Sequence, residues 1–103
     1  MADKALVDPL GRSITLHSHT WYGHISLRHP EVKTYRRLVE QVIVNPLEIR
    51  VSPSDENCRL YFGSGPRTGI MIVVAADVAG GFVKTAHFVK AAKGDLEWSR
   101  PTP

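Results

Sequence analysis

Residues 21–31, WYGHISLRHPE, set two histidines and an arginine behind an aromatic anchor and stop at a proline. Imidazole moves a proton near neutral pH, and guanidinium grips phosphate oxygens in pairs. Together they are the equipment for breaking a phosphodiester. Far along the chain, residues 82–88, FVKTAHF, read as a strand. Its alternation puts Val83, Thr85 and His87 on one face and Phe82, Lys84, Ala86 and Phe88 on the other. If the first face meets the helix bearing His24 and Arg28, then two imidazoles, a cation and a hydroxyl share one cleft. RNA cleavage by the internal 2′-hydroxyl needs no more than that. A base takes the 2′ proton, an acid protonates the leaving 5′-oxygen, and cations or donors hold the charge on phosphorus. No activated serine is required, and Ser13, Ser18 and Ser26 lie in no nucleophile-elbow sequence.

The elements that must position these groups follow from patterning. Ala5-Leu6-Val7 and Ile14-Thr15-Leu16 flank Asp8-Pro9-Leu10-Gly11, a turn composition that predicts a hairpin. Thr20 or His19 opens a helix to about His29. On its wheel Trp21, Ile25 and Arg28 share a narrow arc with His24 at the border. Pro30 starts a second helix, closed by Asn45-Pro46. Val32, Tyr35, Leu38, Val39 and Val42 point inward on it, with Lys33, Arg36, Arg37 and Glu40 outside. After Pro46, residues 47–51, 59–62, 69–76 and 81–89 read as four strands joined by short turns, hence an antiparallel meander. The doubly apolar stretch 70–74 should be central. Residues 93–103 read as a polar, Pro-rich tail that frays after Trp98. The expected fold class is α+β: an N-terminal hairpin and two helices followed by a four-stranded antiparallel sheet. A single domain over 1–98 with a frayed tail at 99–103 is expected.

Composition narrows the functional classes. A chain of 103 residues is one domain on size alone. Its 43% hydrophobic and 22% charged content are those of a soluble globular protein. The net charge of +3 suits an anionic partner without demanding one. Cys58 is the only cysteine, so an intramolecular disulfide is impossible and a reducing compartment is permitted. The N-terminal residues contain no signal-peptide core, and no apolar run approaches membrane length. A cytoplasmic location without a membrane partner is the expectation.

The series Trp-x-x-His-Ile-x-x-Arg-His-Pro-Glu (residues 21–31), Val44-Asn45-Pro46, Tyr61-Phe62, Val83-Lys84-Thr85-Ala86-His87 and Lys93-Gly94-x-x-x-Trp98 resembles a small phage-associated group. That group belongs to the barnase–EndoU–colicin–RelE-like (BECR fold) nucleases. The resemblance spans roughly residues 20 to 98 and rests on the order and spacing of these motifs. It implies a helix or two before a four-stranded antiparallel sheet. It also implies metal-independent ribonuclease or toxin-like activity, with RNA as substrate, no cofactor and a possible antitoxin or immunity protein as partner. The functional positions it implies are His24, Arg28 and Thr85. Where relatives carry a tyrosine two residues after that threonine, this chain has His87.

Two further readings compete with a metal-independent endoribonuclease using His24, Arg28, Thr85 and His87. One is a non-catalytic module that binds nucleic acid or protein through the same basic cleft. In either case His29, Arg36, Lys84 and Tyr61 are the candidate substrate-binding residues. The other is a metal-dependent nuclease built on His17, His19, His24 and His29. Residues five apart on a helix diverge by about 140°, whereas metal-binding pairs favour a spacing of four. No metal site is therefore expected. Each residue also has a plainer role. His24 can bond a neighbouring carbonyl, Arg28 can sit at a helix end, His29 can act as a cap or hinge before Pro30, and Tyr61 can be core.

Overall fold

The computed structural model describes residues 2–101. Its backbone is one seven-stranded mixed sheet curled into a half-barrel. The strands are β1 (Lys4–Val7), β2 (Ser13–Leu16), β3 (Glu48–Ser52), β4 (Asp55–Ser64), β5 (Met71–Asp77), β6 (Phe82–Val89) and β7 (Asp95–Ser99). Their order across the sheet is β1-β2-β6-β5-β4-β3-β7, which makes β5 the middle strand. Between β2 and β3 the chain leaves the sheet as α1 (residues 18–28), a 3-10 turn (Pro30–Val32) and α2 (Arg36–Val44).

This overturns the expected α+β arrangement of a separate hairpin, two helices and a four-stranded antiparallel sheet. The hairpin is part of the sheet, because Thr15 of β2 pairs in parallel with Phe82 of β6. The segment expected to be a polar tail is a seventh strand, with Ile49 opposite Trp98 and Glu48 opposite Ser99. Order continues to Arg100, whose N–H donates to the Leu47 carbonyl (2.8 Å) and whose guanidinium reaches the Asn45 and Pro46 carbonyls. Thr102 and Pro103 lie outside the described residues. Both misreadings concern partners distant in sequence, which local periodicity does not encode. Gly94 makes the last reversal possible. It adopts φ +97°, and a Cβ there would collide with the Val51 carbonyl.

The expected second helix is split. Pro30 starts only a 3-10 turn, and Tyr35 (φ −114°, ψ 33°) interrupts the helix to pack edge-on against Phe88. Arg36 is buried rather than exposed. Its guanidinium lies 5.7 Å from the Trp21 ring, and it donates to Glu40 and to the Ala2 carbonyl. Among the described residues no helix is long and apolar enough to cross a membrane.

The two faces of the sheet bury different cores. Ile72, Val74, Ala76, Val83 and Ala86 pack beneath Trp21, Ile25, Val32, Val39 and Ile43 from the helical excursion. Each valine or isoleucine among them contributes ~1.5–3 kcal/mol on burial, and the alanines less. The opposite face carries a smaller cluster of Cys58, Leu60, Phe62, Val73 and Ala75.

A polar clasp closes the half-barrel on the helical side. Asp8, 3% exposed, accepts from the N–H groups of Leu10 and Arg12, from Arg12 Nε (2.7 Å) and from the Tyr61 hydroxyl (2.6 Å). Arg12 also grips Glu97 of β7 (2.7 Å), which in turn accepts from Arg59 (2.8 Å). Glu97 is the extra residue at a β-bulge, since Ile49 pairs with Trp98 and Arg50 with Leu96. Burial alone would raise the Asp8 carboxyl, but the bonds from Tyr61 and Arg12 outweigh it and hold it below the usual range. Glu97 is held low in the same way by Arg12 and Arg59 against its own burial.

Both carboxylates thus bind protons less readily folded than unfolded. Their stabilisation is complete above the unfolded carboxylate pKa and is lost as pH falls through the folded values. Asp8→Ala leaves the buried Tyr61 hydroxyl without its acceptor and Arg12 with Glu97 alone, and should cost about 2–3 kcal/mol. Denaturant melts at pH 7 and pH 3 measure both effects. A stability difference between wild type and Asp8→Ala that is the same at the two pH values would contradict this account.

Candidate functional site

The chemistry-bearing residues of β6 are aimed by a second bulge. Ala75 pairs with Thr85 and Ala76 with Val83, leaving Lys84 as the unmatched residue. The expected alternation therefore breaks. Val83 joins the helix-side core, whereas Lys84, Thr85 and His87 all line a cavity on the opposite face. The cavity measures about 430 Å³. Leu60, Phe62, Val73 and Ala75 give it an apolar floor, and Lys84 and Lys93 supply cations. Lys84 Nζ sits 3.6 Å from Asp55 at the start of β4, an exposed pair worth little in stability.

Two polar atoms in its wall have no partner. Thr85 Oγ1 and His87 Nδ1 are buried and make no hydrogen bond. Each costs ~1–3 kcal/mol relative to a satisfied group; Arg36 Nη1, on the helical side, is the third such atom among the described residues. The His87 ring stacks on His29, with centroids 5.0 Å apart and planes at 24°. His29 arrives there because the residue before Pro30 is barred from the helix and adopts φ −130°, ψ 67°. The Glu31 carboxylate lies 3.7 Å from His29 Nδ1. Burial lowers the affinity of His87 for a proton; His29 and Lys93 lower it further, and Glu31 opposes them.

The expected four-residue constellation does not assemble. Thr85 and His87 share one cavity. His24 lines a different depression with His17 and His19, and Arg28 lines neither. The reason is a widened turn in α1. Residues Trp21–Ile25 form a π-helix, in which the Ser26 N–H bonds back to the Trp21 carbonyl. Trp21 and Ile25 stay buried, but the extra residue in the turn carries Arg28 off their arc and into solvent. Of the expected substrate-binding residues, Lys84 lines the cavity and His29 stacks on its wall. Tyr61 is fully buried and committed to Asp8, and Arg36 is buried against Trp21, so neither is free for a ligand.

Sequence reading missed Lys93 as a cation of the cavity and the pairing of His29 with His87. The His29-Pro30 step was the one available signal, since it takes the imidazole out of the helix. Cys58 is part of the floor region, and burial pushes its thiol up, so it stays protonated and is no nucleophile. Among the described residues no three His, Cys, Asp or Glu side chains are grouped to hold a metal ion. No known protein family, curated protein or solved structure matches this chain.

His87 should titrate below the ordinary imidazole range, as NMR of the ring protons would show. His29→Gln should move it upward but not fully back, because burial is the larger cause. A titration at or above the ordinary value in wild type would contradict this environment.

Proposed function

We propose that the protein is a metal-independent endoribonuclease whose reaction centre is the His87–His29 pair and not His24 with Arg28. The observation that carries the reading is the unpartnered, half-buried His87 imidazole, stacked on a second imidazole at the wall of a cavity flanked by lysines. His87 is kept neutral at physiological pH by its surroundings, so it serves as the base that takes the 2′-hydroxyl proton. His29, with Glu31 beside it, serves as the acid for the leaving 5′-oxygen. Two imidazoles in contact discourage double protonation, which favours one base and one acid. Lys84 and Lys93 stabilise charge on the phosphoryl oxygens. The products are a 2′,3′-cyclic phosphate and a 5′-hydroxyl. An antitoxin-like partner belongs to the same proposal.

The apolar floor favours a second reading, a non-catalytic module that holds a nucleobase there. Cleavage assays in EDTA separate the two. His87→Ala and His29→Ala should each reduce cleavage by roughly 10²–10⁴-fold, while His24→Ala stays within about threefold. The acid limb of kcat/KM should fall below the ordinary imidazole pKa. RNA binding without any turnover would favour the binding module. Loss of kcat at saturating RNA in His24→Ala alone would reject the His87–His29 centre.

A further inference from the structure

All five histidines of the chain lie beside β6 or at the helix that flanks it. The β2–β6 pairing is the single bridge Thr15↔Phe82, after which the chain turns away into α1. In the space this leaves, His17, His19 and His24 line a depression of about 630 Å³ with Phe82 and Lys84. Lys84 also lines the Thr85/His87 cavity. As the unmatched residue of the β6 bulge, it stands where the two depressions adjoin. Both volumes fall within the ~300–1,000 Å³ of ordinary ligand sites.

The chemistry of the second depression differs from that of the first. His17 and His19 stack with centroids 5.2 Å apart, and Phe82 is 37% exposed. Asp3 engages His17 (3.0 Å), but among the described residues no carboxylate pairs with His19 or His24. Flat rings beside a lysine that two depressions share form the pattern of single-stranded nucleic-acid sites, in which bases stack and cations follow the backbone.

We infer that the His17–His19–His24 depression is a second subsite, so that single-stranded RNA lies across both depressions and passes over Lys84. This rests on the reading of the Thr85/His87 cavity as a nucleotide site. The second subsite takes the nucleotides adjacent to the scissile one. It makes the protein a reader of chain length and not of a single nucleotide.

Two ligands test this at pH 6, inside the range over which imidazole titrates. Uridine 3′-phosphate occupies one subsite. A 2′-O-methyl hexauridylate can span both and lacks the proton needed for cleavage. The hexamer should bind wild type at least about tenfold more tightly. His19→Gln/His24→Gln should lose about five- to tenfold in hexamer affinity while mononucleotide affinity and the melting temperature stay unchanged. Lys84→Gln should weaken both ligands and lower the hexamer's salt slope by about 0.7. Hexamer binding unaffected by the double substitution, or both ligands weakened equally by it, would overturn the second subsite and leave the nuclease reading standing. Failure of wild type to bind the mononucleotide would overturn the cavity reading itself, and the second subsite with it.

Discussion

The buried carboxylate of Asp8 is the constraint on which the architecture turns. It gathers four donors, two from its own turn and two from the Arg12 and Tyr61 side chains. Through Arg12 it reaches Glu97, and through Glu97 it reaches Arg59. One chain of charge-assisted bonds thereby joins the first hairpin to the last strand, the two ends of the sheet. A buried charge is costly unless its bonding capacity is filled, and that of Asp8 is filled only when the hairpin turn meets Tyr61 of β4. The clasp therefore specifies curvature as well as adding stability. The hairpin needs it, because a single parallel bridge is otherwise all that pairs it with the rest of the sheet.

That weak seam shapes the functional surface. A fully paired β2–β6 ladder would seal the edge of β6. Instead the chain departs after Leu16, and the edge is flanked by α1, His29 and the 3-10 turn. Two local irregularities then shape the candidate site. The bulge at Lys84 moves Thr85 and His87 to the face opposite the helical core. The π-turn over Trp21–Ile25 absorbs a residue, so that His29 emerges from the helix end and meets His87. Bulges and π-turns both insert one residue into a regular ladder, and both recur where a side chain must be re-aimed.

The dense core and the candidate cavity occupy opposite faces of the same strands. The helix-side core is dense with aliphatic and aromatic side chains; Asp8 and Tyr61 at its margin are tied into the clasp, whereas Arg36 Nη1 is left without a partner. The other face buries a small cluster, and its wall holds the hydroxyl and imidazole atoms left without partners. β5, buried throughout its middle, serves both faces and keeps them in register.

Periodicity within the sequence determined which segments extend, which coil and which faces of them are apolar. It placed Trp21 and Ile25 in the core, ran β5 through the centre and set Thr85 and His87 on one side of β6. These features depend on residues two to four positions apart, where side-chain direction follows from backbone geometry alone. The tertiary structure decided the rest: that residues 95–99 form a strand, that Arg12 meets Glu97, that Arg36 and Tyr61 are buried, and that His87 pairs with His29 while His24 faces elsewhere. Each of these joins groups far apart in the chain, or depends on a one-residue bulge or a widened helical turn. A single inserted residue reverses a strand side chain or rotates a helical one. The favourable register is chosen by packing across the whole molecule, not by any local pattern.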